Sequence, residues 1–162
     1  MKKTLILQLV LLILGFLLPK VVQADVLNYS DLVLGQSDFT SGQSNGRSTR
    51  DSFNMPACIA LDEASGRVYV SDYGDYHILW WESMSSLENG DPADGVIGQP
   101  DFNTTGSGLS AYELNEPAGM DIDSEGNLWV VDNNNHRVLK FEKPTQNGTT
   151  AVLVLGQQSF IT

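Results

Sequence analysis

The chain has 162 residues, of which 41% are hydrophobic, with 20 acidic against 9 basic side chains and a formal charge of −11. Such a balance repels phosphate backbones and speaks against a nucleic-acid partner. A single cysteine, Cys58, excludes an internal disulfide framework even in an oxidising compartment.

Residues 1–24 read as a secretory signal: Lys2 and Lys3 precede an apolar run from Leu5 to Leu18, closed by Pro19 and a short tail ending at Ala24. The run is shorter than the about 20 residues of a comfortable bilayer crossing, so no stable membrane insertion is expected once the signal is cleaved. The remaining chain would start near Asp25 and carry 6 basic against 20 acidic groups. A secreted or periplasmic location follows as an expectation.

From Asp25 the pattern predicts a short outer strand, Leu32–Gln36, then a polar loop, Ser37–Asn54, with the turn dipeptide Asn45-Gly46. Pro56 opens a unit of four short strands: Ala57–Leu61, suited to burial on both faces, Arg67–Ser71, His77–Trp81 and Gly95–Gln99, with turns at Asp62–Gly66 and Asp72–Tyr76. The unit then recurs as Ala118–Ile122, Asn127–Val131, His136–Phe141 and Ala151–Gly156. Met55–Glu82 aligns with Glu116–Glu142, pairing Pro56 with Pro117, Asp72 with Asp132 and Leu79 with Leu139. A second signature, VLGQSDF at Val33, VIGQPDF at Val96 and VLGQQSF at Val154, repeats at offsets of 58 to 63 residues. Self-similarity of that period indicates repeated supersecondary units. Four-stranded sheets cannot cover both faces alone and must stack on neighbours, in a propeller around a central axis.

The motif at Pro117–Phe141, with GNLWVVD and NHRVLKF, resembles the NHL repeat, and the flanking LGQxDF segments are similar to those of bacterial extracytoplasmic NHL-repeat proteins. The expected fold is therefore all-β: antiparallel four-stranded blades of a β-propeller in an incomplete ring of about two blades plus one extra strand. The organisation is 1–24 signal peptide, 25–54 outer strand and loop, 55–102 first blade, and 103–162 second blade with the start of a further repeat. Ring closure would need further blades or further copies, and a split or truncated reading frame is the favoured account. The resemblance implies proteins that mostly bind macromolecules or ligands. The favoured function is a protein- or ligand-binding scaffold without enzymatic activity. The alternative is part of a propeller enzyme, of metal-dependent lyase or lactonase type, with its catalytic set on other blades.

Candidate binding loops precede each Pro, with Arg47 and Arg50 on Ser37–Met55, and Tyr112 and Glu113 on Asn103–Glu116. Asp72 and Asp132 each end a strand and are expected to cap turns by accepting backbone N–H groups. Arg137 is a plausible partner for an acid of a neighbouring turn or blade, and the first blade departs from the repeat by placing His77 there. His77 and His136 are read as turn and strand surface positions, and Cys58 as a small buried hydrophobe. GQSNG, from Gly42, imitates a nucleophile elbow but lies in a polar loop with no following helix. DIDSEGNLWVVD, Asp121–Asp132, imitates a calcium loop on a strand hairpin, so no cofactor is expected beyond a possible surface calcium ion. Sequons at Asn28, Asn103 and Asn147 are read as chance matches.

Overall fold

The computed structural model describes residues 31–42 and 48–162. Short runs of β-branched and aromatic residues separated by turns form two antiparallel sheets. The first orders β1 (Pro56–Asp62), β2 (Arg67–Asp72), β3 (His77–Trp81) and β4 (Gly95–Ile97) side by side. The second repeats this with β5 (Pro117–Ile122), β6 (Leu128–Asp132), β7 (Arg137–Phe141) and β8 (Leu153–Leu155). Registers correspond across the repeat: Val70 lies opposite Leu79 in one sheet and Val130 opposite Leu139 in the other. These are two four-stranded propeller blades, and they do not close a ring.

Alternation along the strands decides what the blades bury. In the first blade Ala60, Tyr69, Ile78, Trp80 and Ile97 point toward the second, which answers with Leu128, Val130, Leu139 and Phe141. All nine are buried, and each large side chain removed from water contributes roughly 1.5–3 kcal/mol. The opposite face of the first blade, with Val68, Val70, Leu79, Trp81 and Val96, is covered by Leu34, Phe53, Leu87 and Phe102. Trp80 occupies its slot because the residue opposite is Gly95: a Cβ there would sit 2.3 Å from the indole. In the second blade the same pair is Lys140 and Leu153, on a face whose Val131, Leu153 and Leu155 remain exposed.

The LGQ signature is a turn device. Gly35, Gly98 and Gly156 all have φ between 79° and 94°, a region other residues rarely adopt. Asparagines in the outer loops then tie one unit to the preceding strand: Asn89 Oδ1 accepts the Val33 N–H at 3.0 Å, and Asn147 Oδ1 accepts the Val96 N–H at 2.9 Å. Residues 33–36 therefore stand to the first blade as β4 stands to the second.

Several details depart from the sequence reading. Leu32–Gln36 joins no strand ladder; it is held by Asn89 and by the Gly90 N–H donated to the Val33 carbonyl at 3.0 Å. β1 is not buried on both faces: Ile59 is 67% exposed, since no blade covers that side among the described residues. Cys58 is half-buried rather than enclosed, its Sγ near the Met120 carbonyl. The signal segment, Asn28, Arg47 and most of the GQSNG motif lie outside the described residues.

Substituting Gly95→Ala should destabilise the fold by about 1–3 kcal/mol through overpacking against Trp80. Ile59→Ala, on the exposed face, should change stability by under about 0.5 kcal/mol. Urea unfolding of the two variants checks the contrast.

Candidate functional site

At one end of the sheets, β1 begins, β2 ends and β3 begins, and the equivalent points of β5, β6 and β7 gather beside them. A fully buried carboxylate closes each β2-type strand. Asp132 Oδ1 accepts the Asn115 N–H at 2.7 Å, and its Oδ2 accepts Arg137 Nε at 2.7 Å and Asn135 Nδ2 at 2.9 Å. Arg137 spreads its other N–H groups over the carbonyls of Phe160, Ser110 and Glu113, at 2.5, 2.9 and 3.0 Å. One guanidinium thereby fixes the loop before the blade, the turn after β6 and the segment after β8. Such a planar fork suits a job that an ammonium could not do.

In the first blade Asp72 accepts the Asn54 N–H on both oxygens, at 3.0 and 2.8 Å. Asn54 in turn donates its Nδ2 to Asp75 at 3.0 Å and receives the Gly74 N–H on its carbonyl at 2.8 Å. His77 replaces the arginine. Its ring is fully buried, neither nitrogen has a partner, and Nε2 stands 3.7 Å from Asp72, beyond hydrogen-bond reach. Burial pushes the His77 pKa down to about 4 and that of Asp72 up to about 6. Near neutrality the contact is thus a neutral imidazole beside a carboxylate, not an ion pair.

Above these clusters four non-glycine residues hold left-handed backbone: Met55, Tyr76, Glu116 and His136, with φ of 72°, 58°, 57° and 55°. Each sits at the junction of turn and strand, and such conformations persist only where surrounding bonds over-determine them. The Tyr73 phenol donates to the Glu116 carboxylate, a short bond joining the two blades, and this contact holds the phenol pKa above its ordinary value. Met55, Asn133, Asn134 and His136 are exposed on the same end, with Tyr73 and Tyr76 partly so.

Residues 53–81 and 114–141 both match the family model of the NHL repeat. The chain carries two NHL repeats. A solved luciferin-regenerating enzyme is similar at 17% identity with a TM-score of 0.43, over 65% of this chain and 31% of that one. The chain thus spans under a third of the length of that structure. No curated protein matches.

The sequence-derived site residues fall into three groups. Asp72, Asp132 and Arg137 are buried network members; the two carboxylates take the N–H of the residue two before each repeat's Pro, and Arg137 pairs with the acid of its own turn. Arg50 is exposed, donating Nε to the Ala93 carbonyl at 2.8 Å with its guanidinium 5.1 Å from the Phe102 ring centre. Tyr112 and Glu113 are half-buried in the loop that Arg137 pins. His136 is exposed, whereas His77, paired with the buried Asp72 at the end of β2, is fully enclosed, which corrects its reading as a surface position.

The calcium-like pattern does not assemble. Asp123 is filled by the N–H groups of Glu125, Asn127 and Trp129 at the hairpin end, while Asp132 is at the other end of β6. Asp123 lines a 690 Å³ cleft between the two hairpins, with Asp62, Glu63, Glu125, Arg67 and Lys143. Asn54, Asn115 and Asp75 escaped the sequence reading. For the two asparagines a signal was present in the paired Asn-x-Pro at Asn54 and Asn115, two residues before the Pro that opens each repeat.

Arg137→Ala should cost about 3–5 kcal/mol, because it leaves Asp132 buried without its cation. Arg137→Lys should recover only part of this, since an ammonium cannot reach all four acceptors; thermal unfolding of both measures it. For His77 the folded pKa lies below the ordinary 6.5, so its contribution to stability is complete above that value and lost as pH falls through about 4. Asp72 runs the other way, its contribution present below 3.8 and lost as pH rises through about 6. Ring-nitrogen NMR of metal-free protein should find His77 still neutral at about pH 5.5.

Proposed function

We propose that this NHL-repeat protein is an extracytoplasmic binding scaffold, exported by the segment at residues 1–24. Its recognition surface is the end of the blades that carries Met55, Tyr73, Tyr76, Asn133, Asn134 and His136. The carrying observation is the four left-handed positions on that end, fixed from below by the Asp72 and Asp132 networks and across the blades by Tyr73 and Glu116. Aromatic, amide and imidazole groups held in preset orientations favour binding because little freedom is lost on contact. The ligand class is a protein segment or a small molecule, and the acidic balance disfavours nucleic acid.

Further blades or further copies would complete the ring. Support comes from the second blade's outward face, where Trp129, Val131, Val138, Lys140 and Leu155 occupy the register positions that Tyr69, Ser71, Ile78, Trp80 and Ile97 use to bury the first blade's interface.

An immobilised array of synthetic peptides, probed with the purified chain, tests the surface. The double variant Tyr73→Ala/His136→Ala should weaken the best binders at least about tenfold, whereas Glu63→Ala/Glu125→Ala at the opposite end should not. Equal loss from both pairs would sink the assignment to this end. Turnover of a lactone that stops on chelation would favour the enzyme reading instead.

A further inference from the structure

The two repeats solve the same electrostatic problem with different chemistry, and in the first the solution is incomplete. Asp132 has the Arg137 guanidinium 2.7 Å away; Asp72, at the same place in the repeat, has only a neutral ring at 3.7 Å and a second acid, Asp75, close by. Asp72, Asp75 and His77 are all buried, and each presents a ligand atom within 4.8 Å of the others. Three buried polar atoms have no partner among them: both His77 ring nitrogens and Asp75 Oδ2. Buried polar groups are otherwise satisfied in folded proteins, and two buried carboxylates without a cation are costly.

We propose that Asp72, Asp75 and His77 form a divalent transition-metal site, with zinc the expected ion, standing where the guanidinium of the second blade stands. Imidazole nitrogen and carboxylate oxygen are both zinc ligands, at about 2.0–2.2 Å from the ion, and three such side chains leave the fourth tetrahedral position to water. Donor atoms around such an ion lie roughly 3–4 Å apart, so a small closure of the three side chains completes the site. Asn54 already orients the carboxylates, giving its N–H to Asp72 and its amide to Asp75 while leaving Asp75 Oδ2 free. Second-sphere bonds of this kind fix ligands and raise affinity. Calcium and magnesium fit poorly, because an imidazole is not their ligand. The ion is structural in this role: it ties the end of β2, the turn after it and the start of β3 together, and reaches the loop before Pro56 through the Asn54 bonds to both carboxylates, where Arg137 bonds its own loop directly.

The test is metal analysis of the full chain after chelator stripping, equilibration with zinc chloride and removal of unbound ion. The expected result is about one zinc per chain, with a rise of several degrees in the melting temperature and a shift of the His77 ring nitrogens in NMR. Asp75→Asn keeps the size and the Asn54 bond, and should lower zinc affinity at least about tenfold without unfolding the chain. His77→Arg rebuilds the second blade's cation, and should fold with no bound zinc and no zinc-dependent change in melting temperature. Substoichiometric zinc in the wild-type chain, or one zinc retained by both variants, overturns the proposal; the latter would place the ion in the acidic cleft between the hairpins.

Discussion

A carboxylate buried at the end of the second strand of each blade is the constraint from which the rest of this structure follows. Asp72 and Asp132 have no contact with solvent, so every lone pair must be met by the protein. Both acids draw on the backbone of the loop that enters the blade, but only Asp132 also has a donor in the side chain that opens the next strand: Arg137 opens β7, whereas His77 at the start of β3 makes no hydrogen bond. Satisfying the acid ties the loop that enters each blade to the turn after its second strand, and the left-handed residues sit at these same junctions. The end of the blades is rigid because a charge beneath it needs partners.

The sheet pattern was legible because it depends on short-range regularities. Alternating residues such as Arg67–Ser71, turn residues at Asp62–Gly66 and the threefold Gly-Gln signature marked the strands of both sheets to within a residue or two. What was not legible depended on neighbours. Whether Ala57–Leu61 is covered on one face or two is decided by what stacks on it, and no local pattern encodes that. Leu32–Gln36 has strand-like residues but bonds to a loop asparagine and to Gly90, contacts that no alternation along the segment encodes.

The site was half legible for the same reason. Alignment of the repeats picked out Asp72, Asp132 and Arg137, since a charge at a strand end is unusual and invites an explanation. His77 was harder to place. An imidazole in a repeat position otherwise held by arginine looks like surface drift, and only the folded blade shows that it is fully buried with both nitrogens bare. Asn54 and Asn115 are marked in the sequence only by their shared place two residues before Pro56 and Pro117; the bonds that give them a role form only when the loop folds back onto the acid.

The pairing of Trp80 with Gly95, against Lys140 with Leu153, bears on how the repeats came to stand in this order. The two blades share a template, yet each has adapted to its seat. Exchanging them along the chain would press the Lys140 ammonium into the dry seam between sheets and leave the Trp80 indole facing water. A single mutation could not repair this, because the bulk on β3 and the small residue on β4 must change together. The order of the duplicated units is thereby locked by steric fit, and shuffling among the repeats is closed as an evolutionary route once the tryptophan and the glycine are both in place.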